Sequence, residues 1–216
     1  MIRVLLADDQ EMVRTGFRLI LEAQPDIEVV AEAADGLSAV GEAKRLRPDV
    51  CLLDIRMPKL DGLEATRRLA GPDVVDPLRV VIVTTFDNDE YVTRALRGGA
   101  CGFLLKDAGP ALLVEAVRAA ANGDALVSPS ITVRLLAQLA AGPPADAPQP
   151  RTPLTERELE VVRRVAVGRT NAEVAADLHV SLSTVKTHLA SVQSKLGARN
   201  RVEIAAWAWE SGHVRR

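Results

Sequence analysis

The chain has 216 residues, 48% hydrophobic and 26% charged, with 27 Lys and Arg against 29 Asp and Glu. That balance is ordinary for a soluble globular protein, and no apolar run reaches the roughly 20 residues a membrane helix needs, so a membrane-spanning chain is excluded. The length is long for one domain and comfortable for two. The charge divides unevenly: residues 1–150 carry 16 basic and 22 acidic side chains, and residues 151–216 carry 11 and 7. A net −6 front and a net +4 back imply that only the back meets a polyanion. The N-terminal run 1–7 is too short for a signal peptide and is stopped by two aspartates, so a cytoplasmic protein is expected. Cys51 and Cys101 sit in apolar runs without ligand spacing and read as buried free thiols.

Five Val/Ile/Leu-rich runs, 2–7, 27–31, 49–53, 79–84 and 102–105, read as strands. Helical periodicity covers 10–23, 36–46, 61–70, 88–98 and 110–122. Strands alternating with helices predict an α/β domain with a parallel, doubly wound, five-stranded sheet. Ser128 then Pro129 has the form of an N-cap and first-turn proline, so 129–140 is expected to be a further helix. The run AAGPPADAPQPRTP, residues 140–153, holds five prolines and no apolar period, as a semi-extended linker does. Boundaries are drawn at 1–122, at 123–152 for connecting helix and linker, and at 153–216.

Past the linker only helices are signalled. Thr155 with Glu158, and Thr170 with Glu173, have the spacing of capping boxes, Leu154 and Leu159 are placed as a staple, and Gly168 stands where the first helix should stop. The expected order is helix 155–167, helix 171–178, a turn at His179-Val180-Ser181, helix 182–196, Gly197, and helix 200–211: an all-α, four-helix domain.

In a doubly wound sheet, function gathers at the carboxyl ends of the strands. Asp8 and Asp9 follow the first strand, Asp54 the third, Thr84 ends the fourth and Lys106 follows the fifth; a flavodoxin-like strand order brings all five to one crevice. Three carboxylates there repel one another unless a cation compensates, and all-oxygen ligation suits Mg²⁺ or Mn²⁺. One carboxylate can then attack a phosphoryl donor while a lysine neutralises the equatorial oxygens and a hydroxyl bonds them. Asp54, alone at the end of a central strand, is the candidate nucleophile. The alternative is that these aspartates only cap the helices after them.

The motifs LLADDQ at 5–10, LLDIRMPKLDG at 52–62, VIVTTF at 81–86 and GFLLKD at 102–107 resemble the receiver domain of two-component response regulators. The resemblance covers roughly residues 1–122. It implies that Asp54 accepts a phosphoryl group from a sensor kinase histidine. It also implies that Asp9, Asp54 and the backbone carbonyl of Arg56 bind Mg²⁺ with help from Asp8, and that Thr84 and Lys106 read the phosphate. Phe103 stands where this family has an aromatic that changes rotamer. Many receivers follow the lysine with a cis proline; here Asp107 follows Lys106, so a trans bond or an altered loop is expected, a non-proline cis bond costing about 2.5–4 kcal/mol.

On a helical wheel of 182–196, Leu182, Val185, Leu189, Val192 and Leu196 form an apolar stripe, leaving Ser183, Lys186, Thr187, Ala190 and Ser194 on another, small and basic face. After a short helix and a three-residue turn, this matches the second helix of a helix-turn-helix. Lys186, Thr187 and Ser183 then suit bases or phosphates, and Ala190 a thymine methyl; an ordinary solvated helix is the alternative. The segments LTERE, TNAEVA, STVKTHL and KLGARNR resemble the DNA-binding domain of LuxR-type regulators across 152–211. That resemblance implies phosphate contacts from Asn171, Thr184, Lys195 and Arg199, and dimerisation through the last helix. Trp207 and Trp209, two apart, cannot share a helix face: one should be core, the other exposed or at a dimer contact.

A receiver followed by a LuxR-type domain resembles the NarL/FixJ class of response regulator. The resemblance implies a phosphorylation-controlled transcription regulator rather than an enzyme, with a sensor histidine kinase and double-stranded promoter DNA as partners, a homodimer on activation, and no membrane association. Two alternatives stand beside it. An aspartyl-phosphate enzyme wants a second acid two residues after the nucleophile, where Arg56 stands; a phosphorylation-independent DNA binder would keep the receiver only for dimerisation.

Overall fold

The computed structural model describes residues 1–86, 88–127 and 152–213. It divides into two compact units, Met1–Leu136 and Ala137–Arg216. The helix expected over 129–140, and the linker apart from its last two residues, lie outside the described residues.

The first unit alternates β1 Ile2–Ala7, α1 Glu11–Glu22, β2 Ile27–Ala33, α2 Gly36–Leu46, β3 Val50–Leu53, α3 Gly62–Ala70, β4 Val80–Thr84, α4 Asp89–Arg97, β5 Gly102–Leu105, α5 Pro110–Asn122 and β6 Leu126–Val127. All pairings are parallel, in the order β2-β1-β3-β4-β5-β6. The sheet therefore has a sixth strand beyond the five expected. Two residues are too few to carry a strand period, and β6 forms because Leu126 and Val127 pair with Gly102 and Phe103.

Side chains alternate across the sheet, as the two-residue strand period requires. Val4, Leu6, Val50, Leu52, Val81, Val83 and Leu104 pack in one core with Leu21 of α1 and Leu113, Val114 and Val117 of α5. Leu5, Leu53, Ile82 and Phe103 are fully buried at the alternate positions. With both faces covered, the strands are continuously apolar rather than alternating. Helix ends agree with their local chemistry: Asp35, Asp61 and Asn88 each accept a backbone N–H at the N-caps of α2, α3 and α4.

The second unit holds α6 Glu156–Ala166, α7 Asn171–Leu178, α8 Leu182–Leu196 and α9 Arg201–Glu210. Both capping boxes form, with Thr155 and Glu158, and Thr170 and Glu173, exchanging hydrogen bonds. Gly168 at φ 86° follows α6, and His179 at φ 53° makes the turn into α8. Val161, Val165, Val174, Leu178, Val185, Leu189, Val192, Ile204 and Trp207 form its core. Leu182, expected on the apolar stripe, is 39% exposed. As the first residue of α8 it points back past the turn, beyond the reach of that core. Trp207 is core, whereas Trp209 is 40% exposed and its indole N–H donates to the Ala166 carbonyl at 2.9 Å.

Candidate functional site

The carboxyl edge of the sheet assembles one polar cluster. Asp8 follows β1, its N–H donating to Ala33 O at 3.1 Å; Asp54 follows β3, its N–H donating to Ala7 O at 2.8 Å. Thr84 ends β4, and the Lys106 N–H donates to Thr84 O at 2.9 Å. Backbone ladders thus carry all four residues to one height. Asp8 and Asp54 are buried, Thr84 fully so, and Asp9 is exposed at the rim. One carboxylate oxygen from each of Asp8, Asp9 and Asp54 lies within 4.8 Å of the other two.

Lys106 Nζ lies 2.6 Å from Asp8 Oδ2 and 3.5 Å from Asp54 Oδ2, so its ammonium bridges two acids. Among the described residues Asp54 Oδ1 is buried with no hydrogen-bond partner. Burial raises the Asp54 carboxyl above its ordinary value, and the Asp8 carboxylate adds to this. Lys106, the Thr84 hydroxyl and the Ile55 amide act in the opposite sense. An all-oxygen donor set with an unsatisfied carboxylate oxygen fits a hard divalent cation. Phe103 is enclosed completely beneath this edge. No peptide bond among the described residues is cis, so the Lys106–Asp107 bond is trans, as its sequence implies.

Beside the cluster opens a cleft of about 510 Å³ lined by Asp9, Arg56, Met57, Asp61, Tyr91 and Arg94 among others. The Arg56 guanidinium lies 3.9 Å from the Phe86 ring centroid, and Phe86 meets Tyr91 edge to face at 6.2 Å. The Phe86 N–H donates to Thr84 Oγ1 at 3.4 Å.

In the second unit α8 exposes Ser183, Thr187, Ala190 and Ser194 along one line, with Lys186 half-buried beside them. Ser181 caps the helix by accepting the Thr184 N–H, and the hydroxyls of Ser181 and Thr184 meet at 2.8 Å. The other expected contacts are committed inside the domain. Asn171 is buried and its Oδ1 accepts from Arg201 at 2.6 Å; Lys195 Nζ lies 2.7 Å from Glu158 Oε2; and Arg199 pairs with Glu203 at 2.7 Å. Sequence reasoning missed Glu158, a carboxylate only 4% exposed that also accepts from Ser191 Oγ at 2.7 Å. Its capping box is visible in the sequence, but its partners lie more than 30 residues away.

Residues 4–118 match the response regulator receiver domain, and residues 152–208 match the luxR family of bacterial regulatory proteins. The chain is 40% identical over 208 residues to the transcriptional regulatory protein LiaR of Bacillus subtilis, covering 96% of this chain and 97% of that protein. The crystal structure of the response regulator ChrA, from a heme-sensing two-component system, aligns with TM-score 0.53 at 38% identity, covering 99% of this chain and 98% of that one. RcsB from Salmonella enterica serovar Typhimurium, bound to a promoter in the presence of phosphomimetic BeF₃⁻, aligns with TM-score 0.57 at 26% identity over 97% of this chain and 98% of that one. Among the described residues no helix is long and apolar enough to cross a membrane.

Proposed function

The chain belongs to the response regulators that join a receiver domain to a LuxR-family DNA-binding domain, and we propose that Asp54 is the phosphoacceptor that controls it. Membership makes it a DNA-binding transcriptional regulator. The observation that supports the assignment of Asp54 is its buried carboxylate at the strand end, whose Oδ1 has no hydrogen-bond partner among the described residues and whose Oδ2 lies 3.5 Å from the Lys106 ammonium. In the transfer an Asp54 carboxylate oxygen attacks the phosphorus of a kinase phosphohistidine. The new P–O bond forms as the P–N bond breaks, and the electron pair returns to the imidazole nitrogen.

Asp8, Asp9, Asp54 and the carbonyl of Arg56 would hold a divalent cation, Mg²⁺ or Mn²⁺. Such an ion, when bound, offsets the negative charge of the carboxylates and of the equatorial phosphoryl oxygens. Lys106 is positioned to leave its Asp8 contact for a phosphoryl oxygen. Thr84 donates its hydroxyl to another, which draws the β4 end inward and biases a two-state equilibrium in which Phe103 takes part. Arg56 occupies the place where a phosphatase would carry its second acid, which supports regulation over turnover. The kinase meets the receiver in the cytoplasm, and phosphorylation promotes a homodimer that occupies adjacent half-sites. In the second unit Ser183, Lys186 and Thr187 contact bases or phosphates, and Ala190 meets a thymine methyl. Thr184 contacts phosphate beside them, with Asn171, Lys195 and Arg199 nearer the backbone only if their internal partners release them.

Intact mass after incubation with acetyl phosphate and Mg²⁺ tests the assignment. Wild type should gain one phosphoryl group and Asp54→Asn none; equal gain in both removes Asp54 as the acceptor.

A further inference from the structure

The loop from Asp54 to Gly62 carries the Arg56 carbonyl; one set of contacts closes it on itself, and two more fix it to the N-terminus of α2. Where its two ends meet, Gly62 donates its N–H to Ile55 O at 2.8 Å, and a Cβ at Gly62 would lie 1.9 Å from Asp54 O. In its middle Leu60 presses its carbonyl onto Gly36, where a Cβ would lie 2.1 Å from that oxygen. Between them Lys59 adopts a left-handed backbone at φ 63°, a conformation costly for a residue with a side chain. From there Lys59 Nζ donates to Asp35 Oδ2 at 2.8 Å.

Asp35 is itself held. It caps α2 through Oδ1, which accepts the Ser38 N–H at 2.8 Å, and Oδ2 accepts the Ser38 hydroxyl at 2.9 Å. It is buried, while the Lys59 side chain is 62% exposed. The Lys59 hydrogen bond comes first among the causes that lower the Asp35 carboxyl to about 2. A pair this open to solvent contributes little to overall stability. A strained backbone retained at such a pair points instead to placement of the loop.

We propose that Asp35 and Lys59 are positioning residues for the phosphorylation site: their ion pair sets the loop of residues 55–61, and with it the Arg56 carbonyl, on the N-terminus of α2. This rests on the assignment of that carbonyl and the three aspartates to a divalent cation. The pair acts through the loop and touches neither the ion nor the phosphoryl group.

The test uses the full chain and Mn²⁺ alone, counting bound ion by loss of the free-ion electron paramagnetic resonance signal, beside amide hydrogen exchange of residues 55–61. Lys59→Met removes the charge, Asp35→Ser keeps a capping hydroxyl without it, and Lys59→Arg restores it. Lys59→Met and Asp35→Ser should each weaken Mn²⁺ binding by about tenfold, as loss of a group that orients a metal ligand does, and speed exchange across the loop. Lys59→Arg should keep wild-type affinity and protection. Wild-type affinity in both charge-removing variants overturns the inference, as does an equal loss in Lys59→Arg, or a loss confined to Asp35→Ser. A wild-type chain that takes up no Mn²⁺ overturns the cation assignment itself, and this inference with it.

Discussion

Replacing Glu158 by Gln should destabilise the DNA-binding unit by about 3 kcal/mol at pH 7 while leaving the receiver untouched. Glu158 is 4% exposed and accepts from the Thr155 N–H, Ser191 Oγ and Lys195 Nζ, each at 2.7 Å. Burial pushes its carboxyl up, but Lys195, Thr155 and Ser191 outweigh burial and hold it down at about 2, from an ordinary 4.5. Proton linkage turns that displacement into about 3 kcal/mol. Because the folded-state value is depressed, the stabilisation is complete above pH 4.5 and fades as pH falls toward 2. Urea unfolding followed by tryptophan emission isolates the effect, since the only two tryptophans, Trp207 and Trp209, both stand in α9. The gap between wild type and variant should narrow as pH falls from 5 toward 3. Adding Lys195→Met to the variant should cost little more, its partner already being uncharged. A loss within the roughly 0.5 kcal/mol of ordinary surface changes, or a gap independent of pH, would refute the reasoning.

Two further outcomes rest on the geometry. Burial and the neighbouring Asp8 raise the Asp54 carboxyl, so in metal-free buffer its ionisation costs the fold stability at neutral pH. Asp54→Asn should therefore raise the receiver melting temperature at pH 7, read by far-ultraviolet circular dichroism, with the advantage shrinking as pH falls toward the ordinary carboxylate value. On promoter DNA, Lys186→Ala should weaken binding and lower the slope of log K against log salt by about 1. Lys195→Ala should leave that slope unchanged and instead lower the urea midpoint of the tryptophan transition, because its ammonium serves Glu158.

The residues legible in the sequence are those whose position is set by the strand pattern. Asp8, Asp54, Thr84 and Lys106 end or follow apolar runs, and parallel pairing carries strand ends to one edge, so four local signals become one site. The Asp35–Lys59 pair had no such signal: 24 residues separate its members, and locally Asp35 reads as nothing more than a helix cap. Asn171, Lys195 and Arg199 look alike in sequence to surface residues that meet phosphate. What the sequence leaves open is whether Arg201, Glu158 and Glu203 reach them first, and that depends on helix packing. Leu182 shows the same limit from the apolar side, since the wheel puts it on the stripe and the helix start takes it off the core.

The short strand β6 is the outermost strand of the sheet, beside β5. Leu126 and Val127 cover the outer edge of β5 opposite Gly102 and Phe103, where the backbone would otherwise present free donors and acceptors. A receiver fragment cut after Asn122 would open β5 to strand-on-strand association between copies, whereas one ending beyond Val127 keeps a very short edge strand that disfavours it.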